Sequence, residues 1–211
     1  MTTEKDSPGV RNHWEDLYHS TSPDKVSWYQ QKPTISLDFI KKTALPKDAR
    51  ILDVGCGAST LVDKLLLQGY RNLALLDVST RALFLTQKRL EGKTTDVTWH
   101  HGDVTRYSLP HRYSLWHDRA VFHFLVDPTD RRAYVTSLKQ ALQPKGHLIL
   151  ATFAVGGPTK CSGLDVIQYD TQKITTELGQ DFRLIETLEE LHQTPAGVEQ
   201  SFSYFWFIRN R

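Results

Sequence analysis

The chain is poor in cysteine, has no long apolar run and carries almost no excess of charge of one sign. Its 211 residues hold 26 Lys and Arg against 24 Asp and Glu, which gives a formal net charge of +2. So small a charge argues against nucleic acid or an anionic membrane as the partner. No apolar run is long enough to span a bilayer. The two cysteines, Cys56 and Cys161, form one pair at most, so we expect reduced thiols and a cytoplasmic protein.

The start of the sequence has no targeting features. Residues 1–10 contain acidic residues and lack the apolar segment of a signal peptide. We expect residues 1–11 to be disordered. The length and the ordinary apolar content predict one globular domain over residues 1–211, which buries about 70% of the surface of its unfolded chain. No sequence feature defines the oligomeric state.

The most informative stretch is Arg50–Ser59, with the sequence RILDVGCGAS. The apolar run from Ile51 to Val54 predicts a buried strand, and Gly55–Gly57 predicts a tight turn at which the backbone can approach a ligand closely. A helix is predicted to start near Ser59 or Thr60, where its unpaired N–H groups carry partial positive charge. By itself, this pattern is equally typical of an ordinary turn between a strand and a helix.

An acidic residue one strand later makes a cofactor site the better interpretation. Leu73–Leu76 reads as a second buried strand that ends in Asp77, about 24 residues after Asp53. This is close to the spacing at which a βαβ unit places a carboxylate against ribose hydroxyls. Thr60 stands where a dinucleotide fold has its third glycine, and Asp53 would repel a pyrophosphate but attract an ammonium group. The pattern therefore favours a nucleoside cofactor that carries an amino acid.

Three segments, taken together, resemble the cofactor motifs of class I methyltransferases that use S-adenosylmethionine. They are LDVGCGAS at residues 52–59, LLDVS at 75–79 and HGDV at 101–104. Ser59 replaces the third glycine of the first motif, a departure that a helix-capping serine accommodates. The resemblance implies a doubly wound α/β fold: a mostly parallel seven-stranded sheet with an antiparallel last strand and helices on both faces. Residues 50–211 would form the Rossmann-like core, and residues 1–49 an N-terminal lid with helices.

The resemblance also implies which residues bind S-adenosylmethionine and its product, S-adenosylhomocysteine. Asp103 would accept a hydrogen bond from the adenine amino group, while the Val104 N–H faces the ring; a solvated turn residue is an equal alternative for Asp103. Trp28, and less clearly Tyr18, would belong to the lid, unless these rings only pack on the sheet. The predicted cofactor residues are Trp28, Asp53, Gly55, Cys56, Gly57, Asp77, Val78, Gly102, Asp103, Val104, Asp118 and Arg119.

The richest cluster of titratable groups follows the fourth predicted strand. We expect Asp118 to orient the methyl donor or an acceptor amine, and His123 to serve as a base. The alternative is a structural ion pair of Asp118 with Arg119 and a packed His123. No metal is predicted, because His100 and His101 have no further ligands at a suitable spacing. Cys161 is interpreted as a packed thiol.

The C-terminal half carries the predictions for the acceptor side. A helix is predicted from Asp127 to Leu142, a fifth strand over His147–Phe153, and two antiparallel edge strands over Phe182–Leu188 and Ser201–Ile208. The irregular segment between the fifth strand and the next helix, Val155–Asp170, is expected to help form the acceptor pocket. A loop carrying Glu189 and Glu190 is expected to attract a basic side chain.

The expected reaction is direct, in-line transfer of methyl from a sulfonium to a nucleophile. The segments WEDLY, FHFL, CSGL and HxTPxGxxQ resemble a subgroup of small bacterial methyltransferases. That subgroup is related to the lysine methyltransferases that act on citrate synthase and elongation factor 1A, so the resemblance implies a protein lysine as the acceptor. A metabolite methylated on nitrogen, oxygen or sulfur is the alternative, and a non-catalytic cofactor-binding scaffold is a third interpretation.

Overall fold

A seven-stranded sheet organises the chain, which a computed structural model describes over residues 8–92 and 97–210. Strands and helices follow one another along the chain. The elements are α1 (Pro8–Ser20), α2 (Thr34–Lys42), β1 (Ile51–Val54), α3 (Leu61–Leu67), β2 (Leu73–Asp77), α4 (Thr80–Arg89), β3 (Val97–His101), β4 (Tyr113–Arg119), a 3₁₀ helix (Phe122–Phe124), α5 (Pro128–Ala141), β5 (Leu142–Phe153), β6 (Lys160–Cys161), β7 (Leu164–Asp165), α6 (Thr171–Leu178), β8 (Phe182–Gln193) and β9 (Glu199–Arg209).

The sheet has the strand order β3-β2-β1-β4-β5-β9-β8. Strands β1 to β5 pair in parallel, and β9 runs antiparallel to both of its neighbours. The order reverses between β1 and β4, and in open α/β sheets ligands bind beyond the carboxyl ends of the strands at such a point. The predicted fold class is confirmed.

Apolar residues on both faces of the strands bury the sheet between two layers of helices. Successive residues of a strand point to opposite faces. Ile51 packs in a cluster with Phe39 of α2 and Leu65 of α3, whereas Leu52 packs in a second cluster with Tyr134 of α5. Helices thus cover both faces. Among the described residues, no helix has both the length and the apolarity needed to cross a bilayer.

The C-terminal strands differ from the prediction in length and position. Strand β8 runs on to Gln193, so Glu189 and Glu190 lie in a strand and not in a loop. Strand β9 is not an edge strand, because it pairs with β5 on one side and β8 on the other. Alternation of apolar and polar residues indicates a strand, but the neighbours of that strand depend on residues far away in sequence.

Three further boundaries are corrected. Residues 8–11, expected to be disordered, belong to α1, and residues 1–7 lie outside the described residues. Helix α5 ends at Ala141 and β5 begins at once, with an irregularity in its pairing to β4 before His147. The segment between β5 and α6 contains the short pair β6 and β7. The side chains of Ser79 and Asp170 cap the starts of α4 and α6, where they accept hydrogen bonds from backbone N–H groups.

Candidate active site

The glycine turn after β1 is shaped by both its backbone and its packing. Gly55 and Gly57 have φ of +58° and +52°, a region that residues with a side chain seldom occupy. A Cβ on Gly55 would lie 1.9 Å from Val121 Cγ2, and one on Gly57 would lie 2.3 Å from the Tyr18 hydroxyl. The two glycines therefore allow the chain after β4 and helix α1 to approach the turn.

Asp77 ends β2 next to this turn and holds it in place. Its Oδ2 accepts a hydrogen bond from the Gly57 N–H at 2.7 Å, and its Oδ1 accepts one from the Ser79 N–H at 2.8 Å. Burial raises the pKa of Asp77 to about 6. A carboxylate has about four acceptor positions, and Asp77 lines the cavity at this edge of the sheet. It can therefore accept hydrogen bonds from ligand hydroxyls.

This cavity runs along the carboxyl ends of β3, β2, β1 and β4. Most of the predicted cofactor residues line it: Trp28, Asp53, Gly55, Cys56, Asp77, Val78, Gly102, Asp103, Val104 and Arg119. Gly57 does not line it, because that residue lies beneath the Tyr18 hydroxyl. The strand order arranges these residues in space, with the β3 end at one side and the β4 end at the other.

The β3 end of the cavity is a hydrogen-bonded turn. Asp103 Oδ1 accepts from the Thr105 N–H at 2.9 Å and from the Thr105 hydroxyl at 2.7 Å. The Gly102 N–H donates to the backbone carbonyl of Asp77 at 3.0 Å, and a Cβ on Gly102 would lie 2.4 Å from the Tyr107 ring. The turn is thus held in one shape, with one Asp103 oxygen free of these bonds.

At the β1 and β4 ends, three buried polar side chains form a line. His117 Nδ1 lies 2.7 Å from Asp53 Oδ1, and His117 Nε2 lies 2.8 Å from the Ser36 hydroxyl of α2. Asp53 and His117 are register partners in adjacent strands, and both line the cavity. Sequence reasoning did not assign His117 or Ser36 to the site. The available signal for His117 was its position next to Asp118 in one strand, because consecutive residues of a strand face opposite sides of the sheet.

Aromatic rings of the N-terminal segment cover the cavity. The Trp14 ring of α1 packs edge-on against Trp28 at 5.6 Å and against Phe124 of the 3₁₀ helix at 5.0 Å. All three rings line the cavity, as does Tyr18. Trp28 and Tyr18 were predicted in the lid, whereas Trp14 and Phe124 were not assigned to the site. Trp14 only marked a helix in the sequence, since nothing local indicates what its ring contacts.

Helix α1 is attached to α4 by a carboxylate. Glu15 Oε2 accepts from the Ser79 hydroxyl at 2.6 Å and from the Arg81 N–H at 3.2 Å, and its Oε1 accepts from the Thr80 hydroxyl at 2.5 Å. Burial alone would raise the pKa of Glu15, yet these bonds hold it below its ordinary value. The carboxylate also lies at the positive end of the α4 dipole.

Arg119 joins the lid segment to the C-terminal strands. Its Nε donates to the Tyr204 hydroxyl and its Nη1 to the Trp28 carbonyl, both at 2.8 Å, and its Nη2 lies 3.7 Å from Glu190 Oε2. Glu190 also accepts from Gln30 Nε2 at 2.7 Å and from the Tyr204 hydroxyl at 3.0 Å. Glu190 is therefore held inside the protein and is not available to a basic substrate side chain. Glu189 is exposed, and for that residue the attraction of a basic side chain stays a prediction.

The structure also corrects the two predicted catalytic residues, because neither Asp118 nor His123 lines the cavity. Asp118 points to the α5 face, where it accepts hydrogen bonds from the Tyr134 hydroxyl at 2.6 Å and from the backbone of Val121 and Phe122. His123 is fully buried, and its Nδ1 accepts from the Phe153 N–H at 3.2 Å. Burial lowers the pKa of His123 to about 3, with Arg119 adding to the effect. Asp118 and His123 are therefore bonded within the protein interior and do not face the cavity.

The remaining predicted groups lie in apolar surroundings. Burial raises the pKa of the Cys56 thiol well above its ordinary value and that of Cys161 to about 11, so neither is an activated nucleophile. Cys161 is a packed thiol, as predicted. The segment from Val155 to Asp170 does not line the cavity, contrary to the prediction. Its backbone instead folds against the 3₁₀ helix, with the Ile167 N–H donating to the His123 carbonyl at 2.8 Å.

Comparisons with known proteins identify this core. Residues 51–146 match the family model described as a methyltransferase domain. Nodulation protein S of Rhizobium tropici is 31% identical over 104 residues, which cover 49% of this chain and only 43% of that relative. EEF1A lysine methyltransferase 2 of Homo sapiens is 22% identical over 197 residues, covering 85% of this chain and 77% of that protein. The crystal structure of the N-methyltransferase NodS from Bradyrhizobium japonicum WM9 with S-adenosyl-l-homocysteine superposes with a TM-score of 0.71 at 17% identity, over 95% of this chain and 100% of that one.

Residues 51–146 thus match a methyltransferase domain, and the whole sheet has the fold of solved methyltransferases. The residues that line the cavity fit S-adenosylmethionine, the cofactor that the sequence motifs imply. The glycine turn lets the backbone approach a ligand, Asp77 can accept from ribose hydroxyls, and Asp53 supplies a carboxylate for an ammonium group. The groups that fit the cofactor therefore lie at the strand ends, and the aromatic rings lie at the β4 end of the same cavity.

Proposed function

We propose that the methyltransferase methylates an amine nitrogen, and that the acceptor is a lysine side chain of a protein. The observation that supports this proposal is the aromatic wall of Trp14, Trp28 and Phe124 at the β4 end of the cavity. Aromatic faces attract cations such as a sulfonium or a methylated ammonium. The aliphatic stem of a lysine packs well on such rings.

The wall also explains how an amine becomes a nucleophile here. A lysine amine has an ordinary pKa of about 10.4 and must lose a proton before it can attack. Apolar surroundings disfavour the ammonium form and so lower that pKa. A hydroxyl acceptor would need a base at the reacting atom, and Asp118 and His123 face away. Carboxylates outnumber guanidinium groups around the cavity, which disfavours an anionic nucleophile such as a thiolate. The carboxylates are Asp53, Asp77, Asp103 and Asp130, and the guanidinium groups are Arg11 and Arg119.

The chain positions the reactants and excludes water. Bound S-adenosylmethionine supplies a methyl group on a sulfonium centre. We place the lid in residues 1–49 and the core in residues 50–211 of one domain. A closed lid over a desolvated site holds the amine in line with the methyl group. The contacts of Trp28 and Glu15 support this assignment.

Two observations support different acceptors. The similarity to EEF1A lysine methyltransferase 2 extends over 85% of the chain, and so includes the acceptor half. A small-molecule amine is the second candidate, supported by the way α1 and Trp28 cover the cavity, which suits a compact acceptor. The element that receives the methyl group and the molecule that carries it are separate questions, and each needs its own measurement.

The test is incubation of the purified protein with methyl-labelled S-adenosylmethionine and lysate of the source organism, followed by separation of protein from low-molecular-mass material. We expect alkali-stable label on a protein, with methyllysine identified by mass spectrometry. Alkali-stable label on a small amine would replace the acceptor but keep the chemistry. Label on oxygen or sulfur, or binding without any transfer, would contradict the proposal.

The Phe124→Leu variant tests the aromatic wall itself. Loss of the ring should lower kcat/KM for the acceptor about tenfold, because a cation–π contact in a desolvated site is worth about 1–2 kcal/mol. Phe84→Leu removes a half-exposed ring on α4, away from the cavity, and is the matched control. Equal activity of both variants would show that the ring plays no part.

A further inference from the structure

Ser36, His117 and Asp53 form a polar chain inside an otherwise apolar layer. Their exposed fractions are 0%, 3% and 5%. Their hydrogen bonds are continuous: the Ser36 hydroxyl lies 2.8 Å from His117 Nε2, and His117 Nδ1 lies 2.7 Å from Asp53 Oδ1. Burying three polar side chains costs free energy unless each is hydrogen-bonded. Packing alone therefore does not explain why these three polar side chains are buried together.

The geometry fixes the Asp53 carboxylate at its cavity end. Asp53 and His117 are register partners in β1 and β4, while Ser36 lies on α2 at the same face. The Ser36 hydroxyl can rotate to donate to Nε2, so that Nδ1 carries the proton and donates to Asp53 Oδ1. Oδ2 of Asp53 is then left for a donor in the cavity that Asp53 lines.

We propose that His117, held by Ser36, is a positioning residue that orients Asp53 toward the ammonium group of the cofactor's amino-acid part. This inference rests on the assignment of Asp53 to the cofactor and is independent of the acceptor. A charge-assisted hydrogen bond to Oδ1 restricts the carboxylate to one orientation. The nucleoside part of the cofactor would lie toward β2 and β3, away from Asp53, His117 and Ser36.

The experiment compares two ligands by calorimetry, S-adenosylhomocysteine and 5′-methylthioadenosine, which lacks the amino-acid part. His117→Leu should weaken S-adenosylhomocysteine about tenfold, the loss expected for one charge-assisted hydrogen bond, and leave methylthioadenosine within twofold. His117→Asn keeps a donor near the Nδ1 position and should recover part of the loss. His100→Gln, at another buried histidine bonded to two tyrosines, is the control and should change neither ligand selectively.

A double-mutant cycle separates positioning from packing. In an Asp53→Asn background, His117→Leu should cause no further loss of S-adenosylhomocysteine affinity, because the group that it positions has gone. Equal weakening of both ligands, or full additivity in the cycle, would overturn the proposal. If His117→Leu does not fold, Ser36→Ala gives the same comparison with a two- to threefold selective effect expected. A normal affinity of Asp53→Asn would instead refute the assignment of Asp53.

Discussion

Two buried carboxylates, Asp77 and Asp118, show how position decides the use of one chemical group. Burial raises the pKa of each to about 6. Asp77 lines the cavity, while Asp118 lies against Tyr134 on the opposite face. Because burial disfavours the ionised form, ionisation of Asp118 costs stability as the pH rises through about 4 to 6. Only at Asp77 can a ligand use the ionised form.

Cofactor binding should therefore depend on pH through Asp77. We propose that the ionised carboxylate accepts hydrogen bonds from ribose hydroxyls, so the affinity for S-adenosylhomocysteine should be constant above about pH 7 and fall about tenfold per unit below the pKa. Asp77→Asn should bind weakly with a flat profile. Calorimetry between pH 5 and 8 measures this.

Protonation of Asp118 does not cause a loss of affinity at acid pH through unfolding. It relieves the cost of burying that carboxylate and so favours the folded state. Circular dichroism at each pH confirms that the protein is folded. A wild-type affinity that does not change between pH 5 and 8 would refute the role given to Asp77.

At the scale of elements, α1 is important because it brings Trp14 and Tyr18 to the cavity. A 13-residue helix has little stability of its own. Its position depends on contacts with the core: Tyr18 packs on the glycine turn, and Glu15 binds the first turn of α4. The lid is thus tied to the same element that follows Asp77.

Glu15→Gln should loosen the lid without unfolding the core. Loss of the charge at the α4 N-terminus and of its best hydrogen bonds should weaken the docking of α1 by about 1 kcal/mol. We expect faster limited proteolysis within α1 and a severalfold weaker affinity for S-adenosylhomocysteine. Asp16→Asn, at an exposed neighbour on the same helix, is the matched control. If the two variants were cleaved at the same rate, the docking role of Glu15 would be excluded.

For the whole molecule, Arg119 is the point at which distant parts of the chain meet. Its contacts connect Trp28 of the lid segment with Tyr204 of β9 and Glu190 of β8. The Arg119 and Glu190 side chains are 9% and 16% exposed, so removing one leaves the other with a poorly compensated charge.

Arg119→Met should lower the free energy of unfolding by about 3–5 kcal/mol. The double variant Arg119→Met, Glu190→Gln should be less destabilised than the sum of the two single variants, because no unpaired charge remains. Lys42→Met breaks the exposed pair with Glu186 and should cost at most about 1 kcal/mol. Denaturant unfolding without ligand measures all four. A similar loss for Arg119→Met and Lys42→Met would contradict the buried network.

The sequence by itself determined the features that neighbouring residues encode. A run of apolar residues, two glycines and a following carboxylate define a strand, a turn with positive φ and a carboxylate at the end of the next strand, and all of these are local properties. The motif order also predicted the sheet and the cofactor. The helix caps Ser79 and Asp170 are local features too, because a cap acts on backbone groups within three residues.

Only the tertiary structure decided which side chains meet across the sheet and the lid. Asp118 and His117 are adjacent in sequence, yet strand alternation sends one to Tyr134 and the other to Asp53 and Ser36. Glu190 looked free until β8 placed it beside Arg119. Such contacts depend on register and packing between segments far apart in sequence, such as Gln30 and Glu190, which are 160 residues apart, and no local pattern encodes them.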